Sequence, residues 1–359
     1  MKKICILSSV NIKHMTLISI YTDKLISKGI PFDIIYMDKY GEEEKIEAQN
    51  IYRFVNIINS QDNKFKKILQ YYKFVHFAKP ILEKNKYDFV IVWNEITAML
   101  FFNFLSKNWA NKYCLNYRDY LYQDIPIISK INERVIKNAA FATISSDGYK
   151  KFLPNHEYIH VHSFNKGLLS GLEPRTNFQS KKDKLRITFI GNVRFIENNK
   201  RLLNIFKNDA RFELHFYGTN AEVLKEYCKE SGINNGKFYP AFPVNDTINF
   251  IKNTDIVNNL YGNNNTSLDY ALSIKLYYGI YYRTPILVNA NTYMAKKILE
   301  YNIGYVVDEI NENLPDKIYQ WYKSLDFDVF DNSCQQFISD ISKNNQEFDK
   351  KIEEYLYEN

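Results

Sequence analysis

The sequence predicts an α/β protein made of two doubly wound halves, each a parallel sheet covered by helices on both faces. Three observations carry this reading. Short apolar runs alternate with longer helical patterns along most of the chain, as parallel strands joined by crossover helices require. At 359 residues the chain is too long for one ordinary core and fits two domains. A polar stretch without periodicity, 170–184 (SGLEPRTNFQSKKDK), interrupts the alternation, which then restarts.

The first half opens with Lys3–Ser8, a short apolar run after a basic start, read as a buried strand rather than a signal peptide. Thr16–Lys28 has the period of an amphipathic helix, and Gly29 and Pro31 punctuate the turn into a second strand, Phe32–Met37. Ile51–Ile57 is a third strand and Phe65–Lys84 a long helix. Asp88–Trp93 (DFVIVW) is the continuous apolar run of a strand buried on both faces. Thr97–Ser106 and Ile127–Asn138 read as helices, Tyr113–Asn116 and Phe141–Ser145 as strands. After the linker come strands Leu185–Ile190, Phe212–Tyr217, Lys237–Tyr239, Ile256–Asn258, Ile286–Val288 and Gly304–Val307, with helices between them, one spanning Ser267–Tyr282. The Ser333–Tyr357 tail is helical in pattern. The expected domains are therefore 1–175, with a C-terminal helix at about 340–359 packing back on the body, and 184–339. Two such halves leave a cleft faced by the carboxyl ends of the strands, where ligands of these sheets bind.

Composition narrows the function. The formal net charge of +6 permits an anionic ligand or an acidic membrane surface and requires neither. Nucleic-acid binding is disfavoured, because the basic charge is modest and no binding motif is present. No apolar run reaches the ~20 residues of a membrane span. Cys5, Cys114, Cys228 and Cys334 have no metal spacing and read as buried thiols of a reducing cytoplasm. The 29 Tyr and 25 Phe reflect either coding bias or a surface on which carbohydrate stacks.

The most informative segment is 187–201, ITFIGNVRFIENNKR. A strand stops at Gly191, a polar turn follows, and a helix starts, so Arg194 and Lys200 sit at a strand-to-helix connection, where free N–H groups favour an anion. A bidentate Arg and a mobile Lys suit a diphosphate; the alternative is a solvated basic turn. Gly218, after the strand FELHFYG, lets a backbone approach a ligand or simply turns the chain. In the loop YGNNNTSLD (261–269), Asn residues, Thr266 and Ser267 cap the next helix or border a phosphate.

At this point the chain resembles the glycosyltransferases of the GT-B fold, in particular the retaining, family-4-like group that makes bacterial polysaccharides. There a strand ending in Gly is followed by Arg and, six residues later, Lys, which hold the diphosphate of the sugar nucleotide; Arg194 and Lys200 reproduce that spacing. The segment 274–309 resembles the group's donor-binding block, with Pro285-Ile286-Leu287-Val288 and Ile303-Gly304-Tyr305-Val306-Val307 in the places of its two strands. The group usually has two Glu residues eight apart, the second commonly bonded to the donor ribose. Tyr270 and Tyr278 stand in those positions here, and Asp269 and Lys275 are the nearest charged substitutes. A phenol still hydrogen-bonds a ribose hydroxyl but supplies no carboxylate.

The resemblance implies two Rossmann-like domains, a nucleotide sugar such as a UDP-, GDP- or dTDP-sugar bound through Gly191, Arg194, Lys200, Gly218, Thr266, Ser267, Lys275 and Tyr278, retention of configuration, and no metal or other cofactor. The sequence adds that no DxD pair is present within the donor-like region 185–309 to bridge a metal to the diphosphate. In the first half, His14, Glu95 and Asp119 follow predicted strands. Asp119 or Glu95 is placed to accept a proton from an acceptor hydroxyl or to stabilise charge on the sugar ring, and His14 to contact acceptor or sugar; an Arg118–Asp119 network, a helix cap and a structural His are the plainer readings. Lysines among aromatic residues in 63–85 fit either peripheral contact with the inner face of a membrane, where lipid-linked glycan acceptors lie, or a solvated face. Tyr270 and Tyr278 also fit a catalytically silent partner of an active transferase; a sugar-nucleotide epimerase is the remaining alternative.

Overall fold

The computed structural model describes residues 2–15, 17–58, 61–164, 166–169, 171–178 and 184–357. Thr16, at the start of the expected first helix, and Ser170 and residues 179–183 of the expected linker lie outside them. The chain divides into two compact units, Met1–His162 with Lys343–Asn359, and Ser163–Ser342.

The first unit is built on seven parallel strands: β1 (Ile4–Ser8), β2 (Phe32–Asp38), β3 (Asn50–Val55), β4 (Phe89–Trp93), β5 (Tyr113–Tyr117), β6 (Phe141–Ile144) and β7 (Ile159–His160). Their order is β3-β2-β1-β4-β5-β6-β7. Every residue of β1, β2, β4, β5 and β6 is buried, which is why these strands are mostly apolar; β3, at the edge, is half-exposed. β7 has only two residues, too few to show a period, and sequence reasoning misses it. The helix Lys64–Asn85 follows β3 and contains Pro80. The helix Glu95–Asn108 follows β4 directly, its first turn closed by Asn94, whose side chain accepts the Thr97 N–H at 2.9 Å. Phe348, Ile352 and Leu356 join Ile4, Phe32, Phe89 and Phe141 in one core cluster, and Tyr21 meets Phe348 edge-on at 5.3 Å.

The second unit repeats the plan with six parallel strands: β8 (Leu185–Ile190), β9 (Phe212–Tyr217), β10 (Gly236–Tyr239), β11 (Ile256–Asn259), β12 (Ile286–Asn289) and β13 (Gly304–Val307). The order is β10-β9-β8-β11-β12-β13.

Three expectations are corrected here. The single helix Ser267–Tyr282 is two pieces, Thr266–Asp269 and Ile274–Tyr282, because Ser273 starts a new helix by accepting the Lys275 N–H with its hydroxyl. The polar stretch 170–184 is not wholly a free linker: Phe178 is buried against Tyr322, Phe327 and Phe330, and Arg175 donates to the Thr254 carbonyl at 2.6 Å. The tail helix starts earlier than its pattern suggests and runs Phe327–Ile352.

Candidate functional site

In an open parallel sheet the ligand position is set where the strand order reverses, at the carboxyl ends of the two strands that flank the reversal. In the second unit these are β8 and β11. Gly191, with φ +122°, directly follows β8, and Gly218, with φ +136°, directly follows its neighbour β9. A Cβ on Gly218 would lie 1.8 Å from the Gly191 carbonyl oxygen, so the two backbones touch and only glycine fits. Hydrogen bonds from Gly191 N–H to Tyr217 O (2.9 Å) and from Val193 N–H to Thr219 O (2.9 Å) hold that approach. No neighbour stands within 4 Å of a Cβ built on Gly191, which leaves open space beside the turn.

Arg194 lies in this turn, exposed, with no ion pair to its guanidinium among the described residues. Lys200 lies on the helix Ile196–Ile205, where its ammonium pairs with Glu197 at 2.8 Å and rests over the Tyr227 ring at 5.1 Å. Six residues thus separate a free guanidinium from an occupied ammonium. Glu197 is the competitor that sequence reasoning does not weigh.

The turn after β8 is tied to the loop after β11. Asn198 donates to the Leu260 carbonyl at 3.0 Å, the Phe195 and Tyr261 rings meet at 5.7 Å, and Asn289 accepts the Gly262 N–H at 2.8 Å. Asn265, rather than Thr266 or Ser267, caps the short helix that these two residues open. Beneath the loop is Lys275, buried (5% exposed). Its ammonium lies 4.2 Å from the Phe189 ring centre and 4.5 Å from that of Tyr261, and hydrogen-bonds the Tyr261 hydroxyl. The sheet therefore keeps a positive charge under its own reversal point, stabilised by two π faces. Tyr278 is buried (2% exposed), Tyr270 half-buried, and burial pushes the Asp269 carboxyl up from its usual range.

In the first unit the order reverses between β1 and β4. Ser9, after β1, and Thr97, in the helix after β4, bond through the Ser9 N–H (2.8 Å) and between their hydroxyls (2.9 Å). Glu95 is buried, and its Oε1 accepts the backbone N–H of Arg118 and, at 2.8 Å, of Asp119. Burial, helped by the Asp119 charge, pushes the Glu95 carboxyl up to about 7 despite those two donors. The structure thus brings Glu95, Arg118 and Asp119 together: Glu95 fixes the turn after β5, and Asp119 is its exposed carboxylate. Ser145, after β6, donates its hydroxyl to the Arg118 carbonyl at 2.9 Å. His14 is elsewhere, exposed in the turn Ile12–His14 and leaning on the Tyr40 ring at 5.4 Å.

Two polar groups at strand ends are not anticipated from sequence. Asp38, the last residue of β2, accepts from Asn11 (2.7 Å), from the N–H of Tyr40 and Gly41, and from both Nε and Nη2 of Arg53. Burial raises its pKa, but these donors win and hold it at about 2. Asp147, two residues after Ser145, faces His160 Nδ1 at 3.1 Å, and His160 stacks on His162 at 3.9 Å. Burial and the neighbouring His160 press His162 down to about 3. A polar residue directly after an apolar run is the signal that also finds Asp38, after Met37; Asp147 stands three residues past the end of β6, where that signal does not reach. Among the described residues, no group of three or more His, Cys, Asp or Glu is placed to hold a metal ion, and no helix is long and apolar enough to cross a membrane.

No protein-family model matches the sequence, and neither does any curated protein. Solved structures do resemble it. Sucrose-phosphate synthase from Thermosynechococcus elongatus aligns over 98% of this chain and 99% of its own at 10% identity, with a TM-score of 0.69. HepE from Anabaena, solved in complex with UDP, aligns over 99% and 100% at 10% identity and 0.65. A glycosyltransferase from Rickettsia africae aligns over the whole of both chains at 14% identity and 0.65. The likeness is one of fold: two parallel α/β sheets arranged along the chain as in GT-B proteins.

Proposed function

With the GT-B fold as premise, we propose that the chain is a glycosyltransferase that moves a hexose-type sugar from a nucleotide-sugar donor to a surface-polysaccharide, lipid-linked or protein-linked glycan. The observation that carries this reading is the Arg194 guanidinium, exposed and without an ion pair among the described residues, beside the Gly191–Gly218 backbone contact at the strand reversal of the second unit. As the donor bond breaks, negative charge grows on the departing diphosphate, and a cation aimed there stabilises the transition state more than the ground state. Arg194 fills that part. Lys200 joins it once the exposed Glu197 lets go, and Lys275 holds Tyr261 and the loop 260–265 from below. The reading takes the reaction as retaining and independent of metal, with the leaving phosphate helping to deprotonate the acceptor. In the first unit Asp119 stabilises charge on the sugar ring or orients the acceptor hydroxyl, and Glu95 holds its backbone. HepE, crystallised with UDP and also with UDP and glucose, supports a uridine nucleotide as the first ligand to try.

The test is a thermal-shift screen against UDP, GDP, dTDP and CMP, with and without Mg²⁺ or EDTA, since a ligand of the native state raises the melting midpoint by mass action. A rise with one diphosphate that survives EDTA and vanishes in Arg194→Ala is expected. Tyr270 and Tyr278 favour one second reading, a silent partner subunit of an active transferase. No rise with any nucleotide would move the assignment there.

A further inference from the structure

We infer that the outer face of the helix Lys64–Asn85 docks on an anionic lipid bilayer. This helix has two apolar faces. Gln70, Phe74, Val75, Ala78 and Leu82 are buried and pack inward. Phe65, Ile68, Leu69 and Tyr72 are 85%, 65%, 53% and 58% exposed. Their spacing of i, i+3, i+4 and i+7 places all four on one stripe of the first three turns. Single exposed apolar residues need no explanation, but four in one stripe mark a contact surface.

Charge identifies the occupant. The helix contains Lys64, Lys66, Lys67, Lys73, Lys79 and Lys84 against Glu83 alone. Lys66, Lys67 and Lys73 lie within one turn of the apolar stripe. Lys66 pairs with Asp62 at 2.6 Å, and its side chain is still 56% exposed. A second copy of the chain docked on the same face would set these lysines against their own counterparts, since a two-fold interface pairs each patch with itself. A bilayer with anionic headgroups takes both features at once: the aromatic and aliphatic side chains enter the acyl boundary, and the lysine stems reach back to the phosphates. The inference does not rest on the transfer reaction, and its failure would leave the donor-site reading intact.

The test is flotation of the full chain with vesicles of phosphatidylcholine alone and with about 30% phosphatidylglycerol, at low and high salt. The native chain is expected to float with the anionic vesicles at low salt and not with the neutral ones. Phe65→Ser/Ile68→Ser/Leu69→Ser should weaken that binding about tenfold or more while keeping the native melting midpoint, because all three side chains are mostly in solvent. Lys66→Gln/Lys67→Gln/Lys73→Gln should lose the preference for anionic lipid. Failure of the native chain to float, equal binding to both vesicle types, or undiminished binding by the folded apolar variant would each overturn the inference. So would a dimer, seen by light scattering, that the apolar variant abolishes, because the face then belongs to a second copy.

Discussion

Replacing Gly218 with alanine sets a methyl carbon 1.8 Å from the Gly191 carbonyl oxygen and 2.6 Å from its carbonyl carbon. Ordinary contact starts at 3.4 Å, so one backbone must retreat by about 1.6 Å, the difference between the two distances. The bonds Gly191 N–H to Tyr217 O and Val193 N–H to Thr219 O, both 2.9 Å, do not survive such a movement. Two lost bonds cost about 2 kcal/mol, and an alanine held near φ +136° adds about 1–2 kcal/mol of backbone strain. The sum, about 3–4 kcal/mol, lowers the melting midpoint of a unit of this size by roughly 10 °C. Two controls separate the terms. Gly191→Ala has the left-handed φ but no neighbour within 4 Å, so it should lose only the strain, about 1–2 kcal/mol. Gly171→Ala has neither and should melt as the native chain. Differential scanning calorimetry of the three variants reads the ranking. If Gly218→Ala melts with Gly191→Ala, the backbone contact between β8 and β9 is not what requires glycine there, and the cradle beside Arg194 loses its physical basis.

A pH profile tests Glu95. Its folded pKa of about 7 lies above the ordinary 4.5, so its contribution favours the folded state below about pH 4.5 and is lost as pH rises through 7, about 3 kcal/mol in all. Glu95→Gln keeps an oxygen to accept the Arg118 and Asp119 N–H groups but cannot ionise, so it should melt higher than the native chain at pH 8 and alike at pH 5; parallel profiles would refute the buried-acid assignment. Lys275→Met removes the ammonium from between Phe189 and Tyr261 at a cost below about 2 kcal/mol. It should weaken nucleotide-diphosphate binding about tenfold through loss of Tyr261 placement, and titration calorimetry giving native affinity for a folded variant would remove Lys275 from the site.

Both sheets are legible in the sequence because strands buried on two faces are mostly apolar runs, as in FVIVW and LRITFI. What escapes is what period and propensity do not encode. β7 is two residues long. The break at 270–273 depends on one serine hydroxyl accepting an N–H in preference to helix continuation. The stretch around Phe178 looks like linker because its polar majority hides one aromatic anchor. At the site, spacing locates Gly191, Arg194 and Gly218 at strand ends or next to them, since chain position relative to a strand is a one-dimensional property. Partner choice is not. That Lys200 meets Glu197, that Lys275 lies between two rings, and that Glu95 turns inward to two backbone amides follow from side-chain directions that only the folded chain defines.

The core of the first unit is closed by Phe348, Ile352 and Leu356, and the 180 residues Ser163–Ser342 lie between those side chains and the strands they cover. On a ribosome adding about 5–20 residues per second, the first unit waits on the order of ten to forty seconds with its Ile4, Phe32, Phe89 and Phe141 surface uncovered, while the second unit emerges complete. The half made first is therefore the half that finishes folding last, and chaperone dependence should fall on the N-terminal sheet rather than on that of the second unit.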